Sequence, residues 1–198
     1  MTIRRALADE PAEQEGVTAY VALLRAVNLG GTNRVPMAEL RAALVARGFG
    51  DVSTVLASGN VLFRSAEPER VVAERVGDTV EEAFGVRVPV VVRSCAELAS
   101  VVGRNPFLAA GADRDPTTLH VAFLAEQPAA AAIAMLDPDR SPPDSFAVDG
   151  REVFLSYPNG AGRSRLTLDY LERRLGVEGT ARNWRTVQRL AALLATGA

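Results

Sequence analysis

The chain contains no lysine; all 22 of its basic residues are arginine. That excludes a Schiff-base lysine, the phosphate-binding lysine of a P-loop and a kinase-type strand lysine. There is one histidine, His120, and one cysteine, Cys95. A single cysteine rules out an intrachain disulfide and fits a cytoplasmic protein. A zinc site built from several His and Cys ligands does not fit in one chain, so no metal is expected. Any Ser–His or Cys–His nucleophile pair would have to use His120. No apolar run reaches bilayer-spanning length, so no membrane partner is expected. The first sixteen residues, MTIRRALADEPAEQEG, lack the apolar centre of a signal peptide and read as a polar tail. A net charge of −2 supplies no global basic field for nucleic acid.

What is present is enough for a core. The hydrophobic fraction is 48% over 198 residues, a length that allows one large domain or two small ones. The pattern over residues 19–93 predicts strand, helix, strand, strand, helix, strand. Met37, Leu40 and Leu44 recur at helical spacing before Gly48, and Val72, Val76, Val80 and Phe84 recur before Gly85. Ser94 and Glu97 form a capping box for a short further helix. The segment 118–198 repeats the plan. It has a strand over 118–124, a helical alanine run over 128–136 and a hairpin signal at Asp149-Gly150. A helix over 164–175, a short strand and a helix capped by Asn183 follow. The expected fold class is α+β, two ferredoxin-like (βαββαβ) halves in tandem, each followed by an extra helix. The expected boundaries are a tail at 1–17, a first half at 18–108, a linker at 109–117 and a second half at 118–198. One continuous mixed sheet is the rival arrangement.

Polar and glycine residues collect at the joints of this pattern. In the expected strand order, the loop after the first strand and the turn between the second and third share a sheet edge. Asn28, Gly30, Gly31, Asn33 and Arg34 then lie near Ser58, Gly59 and Asn60. The loop feeds a helix N-terminus, which favours anions, and arginine adds a bidentate donor. In the second half, Arg163, Ser164 and Arg165 precede a helix, and Arg182, Asn183 and Trp184 follow the last strand. The expectation is that these two edges face each other and form one cleft. The plain alternative is turn chemistry, because Gly and Asn supply positive φ wherever a chain bends. Arg25 stands in an otherwise apolar strand, where it either reaches a ligand or pairs with a carboxylate such as Glu39. His120 reads as a satisfied sheet histidine, Cys95 as incidental, and Trp184 as a helix anchor or a stacking surface.

The same joints carry a resemblance. Residues 20–25, Asn28-Leu29-Gly30-Gly31, residues 33–37 and Ser58-Gly59-Asn60-Val61 resemble an uncharacterised bacterial family catalogued as a domain of unknown function. Ser164-Arg165-Leu166-Thr167, Tyr170-Leu171-Glu172 and residues 180–184 resemble its second block. The chain departs at Ala26, where glycine is usual in that family, and at Thr32, Arg34 and Arg165, where lysine is common. The resemblance implies a two-part α/β fold and no reaction, and it names no cofactor.

Three functions compete. The first is binding of a small anionic ligand (phosphorylated, nucleotide or carboxylate) between the halves. The second is an enzyme acting on such a ligand, with Glu39, Glu172 and Asp169 as candidate acid–base groups. The third is single-stranded nucleic-acid binding on tandem RRM-like sheets, ranked last for want of sheet aromatics and positive charge.

Overall fold

The structure, a computed structural model, describes residues 16–109 and 115–197. Most of the expected tail and the centre of the expected linker lie outside the described residues. The segment after that gap opens on a 3-10 turn, Pro116–Thr118, capped by the Asp115 side chain.

The described residues form a mixed α+β fold with two four-stranded antiparallel sheets and six α-helices. The first sheet contains β1 (Thr18–Leu24), β2 (Gly50–Val55), β3 (Asn60–Ser65) and β4 (Val90–Ser94) in the order β2-β3-β1-β4. Its helices are α1 (Met37–Ala46), α2 (Glu69–Phe84) and α3 (Cys95–Gly103). The second sheet contains β5 (Leu119–Leu124), β6 (Ser145–Asp149), β7 (Glu152–Ser156) and β8 (Gly179–Asn183) in the order β6-β7-β5-β8. Its helices are α4 (Ala130–Ala134), α5 (Leu168–Leu175) and α6 (Trp184–Thr196). The two sheets are separate, so the continuous-sheet arrangement does not occur.

Local chemistry explains most boundaries. Gly85 and Gly176 end α2 and α5 in the left-handed conformation, at φ +66° and +70°. Ser94 and Glu97 form the reciprocal capping box of α3. Three expectations need correction. The helix expected over 164–175 begins only at Leu168, where the Thr167 side chain caps it. The helical alanine run is only five residues long, because no buried stripe forms in it and Asp137-Pro138 follows at once. The β6–β7 loop is Gly150-Arg151, with positive φ at its first residue alone, which is the type II′ pattern rather than I′.

Among the described residues, three apolar clusters form the core. One lies between the outer face of the first sheet and α1 and α2, with Leu24, Leu40, Leu44, Phe63, Val72 and Val76. A second lies between the outer face of the second sheet and α5, with Leu124, Leu155, Tyr170 and Leu171. The third is shared. Val21, Leu23 and Leu62 from the first sheet and Val121, Phe123 and Phe154 from the second meet α3 and α6 there, with Trp184 buried among them. The inner faces are therefore completed by one common core.

Buried arginines tie the halves together. Arg93 on β4 is 1% exposed. Its Nε donates to Glu152 Oε1 at 2.8 Å, and its Nη2 donates to Leu124 O at 2.7 Å and Arg151 O at 3.3 Å. Arg182 on β8 does the converse. Its Nε donates to Asn60 Oδ1 at 2.5 Å, and its Nη2 donates to Leu24 O, Ser58 O and Gly59 O at 2.8, 3.1 and 3.2 Å. Each also donates Nη1 to the carbonyl of the residue before it, Val92 or Ala181. The register agrees: Val21 faces Arg93 and Leu23 faces Asn60, while Val121 faces Arg182 and Phe123 faces Glu152. The halves thus exchange equivalent arginines across a pseudo-two-fold relation, each capping the end of the other half's central strand.

Removing one member of a buried ion pair exposes the energetic weight of the other. Arg93→Leu removes a donor from three carbonyls and leaves the buried Glu152 carboxylate with Arg104 as its remaining partner. It is expected to lower stability by about 3–5 kcal/mol, read as a reduced urea midpoint with an unchanged slope.

Candidate functional site

The two arginine joints are built alike and finished differently. At the Arg93 joint the chain supplies its own anions. Glu152 is 4% exposed and accepts from Arg93 while also pairing with Arg104. Arg151 pairs with Glu69 at 2.6 Å and with Glu97 at 2.6 Å. Burial lowers the Arg93 pKa, and the adjacent Glu152 opposes that shift. Burial on its own would raise the Glu97 carboxyl, but hydrogen bonds from Ser94 and the charges of Arg151 and Arg93 outweigh it and hold the group below its ordinary range. The hydrogen bond to Glu69 raises Arg151. This joint is sealed by ion pairs.

The Arg182 joint opens on a cavity of about 420 Å³. Arg25, Ala26, Val27, Leu29 and Ser58 line it from the first half. His120, Leu168, Asp169 and the β8–α6 segment line it from the second, including Thr180, Arg182, Asn183 and Thr186. Asn60 stands here where Glu152 stands at the other joint, and Thr186, third residue of α6, stands where Glu97 does in α3. Arg182 is 8% exposed and forms no ion pair among the described residues. Burial alone pulls its pKa down to about 10, which leaves it protonated at neutral pH.

The wall is rigid by construction. Asn28 Nδ2 donates to Val35 O at 2.9 Å and Ala57 O at 2.8 Å, and its Oδ1 accepts from Val35 N. The loop after β1 is thereby stapled to the β2–β3 turn. Asn60 is fully buried and donates to Val55 O and Ser58 Oγ. Positive φ at Ala26, Asn28, Asn33 and Leu56 concentrates left-handed backbone around the mouth, and for Ala26 and Leu56 that conformation carries strain. Gly59 is required: a Cβ there would stand 2.5 Å from Val27 Cγ2 and 2.8 Å from Leu24 Cβ, at φ +75°.

The expected site residues divide accordingly. Arg25, Ser58, Arg182 and Asn183 line the cavity. Asn28, Gly59 and Asn60 form the structure behind its lining. Gly30, Gly31, Asn33 and Arg34 are exposed on the loop beyond Leu29. Arg163, Ser164 and Arg165 do not line the cavity; their loop docks on Ser141, which accepts from Arg165 N at 3.1 Å. Trp184 is 1% exposed in the shared core and unavailable for stacking, as its helix-anchor reading required. Arg25 pairs with Asp169 at 2.9 Å and Glu172 at 2.7 Å in the other half, not with Glu39.

His120 is only partly the satisfied sheet residue expected: a hydrogen bond to the Thr118 backbone engages its ring. It lines the cavity, packs edge-on against Tyr157 at 5.2 Å, and its Nδ1 is buried without a hydrogen-bond partner. Burial lowers its pKa below the ordinary 6.5. Thr180 and Thr186 line the cavity as well, and a threonine in a strand or first helical turn carries no distinctive signal in a sequence. Among the described residues no group of three or more His, Cys, Asp or Glu is placed to hold a metal ion, and no helix is long and apolar enough to cross a membrane.

Comparison with known proteins gives a consistent picture. A family model described as "Protein of unknown function (DUF1697)" matches residues 17–154. No curated protein matches the chain. Among solved structures, the conserved bacterial protein SP0830 from Streptococcus pneumoniae is similar over 90% of this chain and 99% of its own. The identity is 23% and the TM-score 0.67. That similarity concerns the fold.

Two outcomes follow from this geometry. Gly59→Ala is expected to destabilise by roughly 1–2 kcal/mol for its left-handed backbone plus about 1–3 kcal/mol for overpacking, measured by denaturant titration. For His120 the folded pKa is depressed. Its contribution is therefore fully present above the unfolded value of 6.5 and is lost as pH falls through the folded value. His120→Phe should flatten the stability profile below pH 6.5, measured as Tm against pH.

Proposed function

We propose that this chain, which belongs to the family described as "Protein of unknown function (DUF1697)", binds a small anionic ligand in the cleft between its two halves. The supporting observation is the asymmetry of the two arginine joints. One scaffold is used twice, and only one copy is closed by its own carboxylates. The other keeps a cavity of about 420 Å³, within the range of small-molecule sites. Its polar groups converge from separate elements: Ser58 from the β2–β3 turn, Thr180 from β8, and Asn183 and Thr186 from the start of α6. The N-terminus of that helix adds to the positive potential of Arg182. We read both halves as ferredoxin-like units, a reading that the strand orders β2-β3-β1-β4 and β6-β7-β5-β8 support.

The alternatives have less support. Apolar side chains of each sheet are packed on both faces, which gives bases no open sheet platform for stacking. Asp169 and Glu172 are engaged by Arg25, an arrangement suited to holding the halves and not to proton transfer. We place the ligand class among phosphorylated, nucleotide or carboxylate molecules.

A thermal-shift screen of inorganic phosphate, nucleotides, sugar phosphates and small carboxylates tests this. A true ligand at a hundredfold excess over its Kd should stabilise by about 2.7 kcal/mol. Leu168→Trp, which fills the cavity from the start of α5, should remove that stabilisation while leaving the unliganded Tm near its starting value. Lack of a shift with every anion would count against the reading.

A further inference from the structure

Resting on the cleft reading above, we infer that the ligand presents a compact oxyanion, carboxylate or phosphate, to the Arg182 end of the cavity, beside Thr180 and the first turn of α6. The inference comes from comparing the two arginines as buried charges. Arg93 has a carboxylate 2.8 Å away on Glu152 and a second, on Glu69, at 3.7 Å. Arg182 is held by the same kind of carbonyl cage, but its Nε meets the neutral Oδ1 of Asn60. Burial of a cation without an anion is unfavourable, and carbonyl dipoles offset only part of that cost. The two carboxylates of α5 on this side do not fill the role, because Asp169 and Glu172 are both held by Arg25.

The direct contacts come from other groups. The Arg182 guanidinium donates to protein oxygens on all three nitrogens, so it acts mainly through its charge. Thr180 Oγ1 accepts from Arg182 Nη1 at 2.7 Å, so the threonine's own proton points to another acceptor. Thr186 stands at the N3 position, where the sealed joint has Glu97. At the sealed joint a glutamate in the chain contributes the negative charge; at the open joint the ligand contributes it. The position occupied by the anion is thus the counterpart of Glu97, since Asn60 already fills that of Glu152.

The test uses the full chain with inorganic phosphate and acetate as probes, at constant ionic strength against chloride. Phosphate or acetate should shift the Arg182 Nε–H resonance and raise Tm. The stronger probe of the two identifies the head group. Thr186→Glu places a carboxylate at the proposed position without disturbing Asn60. It should raise the Tm of the free protein and reduce phosphate or acetate affinity at least tenfold, whereas Thr186→Gln should do neither. Asn60→Asp should likewise reduce affinity. Probe binding with an unmoved Arg182 resonance and normal affinity in Thr186→Glu would overturn this placement and leave the cleft reading standing. Failure of every probe and of every screened anion to bind would overturn both.

Discussion

The reciprocal insertion of Arg93 and Arg182 is the constraint on which the rest of the molecule depends. Each guanidinium caps the carbonyl end of a central strand in the opposite half, where the sheet ladder has run out of partners. A guanidinium suits this task because its planar fork addresses several oxygens at fixed angles, which a lysine ammonium does not. The arginine contacts fix the distance between the sheets. The shared core of Val21, Leu23, Val121, Phe123 and Trp184 then fills the space so defined. Neither half has a complete inner face of its own, so the cleft is a property of the whole chain.

Two uses of one joint follow from very few side chains. Glu152 and Glu97 turn the Arg93 end into a closed ion-pair network reaching Arg104, Arg151 and Glu69. Asn60 and Thr186 at the corresponding positions leave the Arg182 end open, with a cation at its floor. The loop after β1 shapes the mouth, and its left-handed residues are held there by the Asn28 staple. Strained backbone and an unmatched buried charge are costs of the same order as a protein's net stability. Their concentration at one end of the molecule is what separates that end from its closed counterpart.

The layout of the chain was legible in its sequence because its punctuation is local. Gly85 and Gly176 stop helices, Ser94 and Glu97 start one, and apolar spacing marks the stripes that become buried. Strand order placed Ser58 beside the loop after β1, and the separate expectation that the two sheet edges face each other brings it to Arg182 and Asn183, which line the same cavity. What escaped were properties created by the other half. Arg93 sits among apolar strand residues, and its partner Glu152 lies 59 residues away. His120 resembles any strand histidine until the opposite half places a cavity beside it. The loop containing Arg163 and Arg165 has the composition of an anion-binding turn, yet it is occupied in packing against Ser141. Composition marks where a chain bends. It does not reveal which bends face one another.

The shared core also bears on the order of events during synthesis. When β1 to α3 have left the ribosome, Val21, Leu23 and Leu62 still have an uncovered side, and the carbonyls of Leu24 and Gly59 still lack the Arg182 guanidinium. The apolar cover comes from β5, β7 and α6, and the guanidinium from β8, so the last two described elements of the chain complete the joint. The first half therefore keeps an apolar face exposed until the second half emerges, and its Asn60 meets Arg182 only 122 residues downstream. Its edge strand β2 and this bare face are where a nascent chain would be vulnerable to wrong pairing, and where a chaperone would find it.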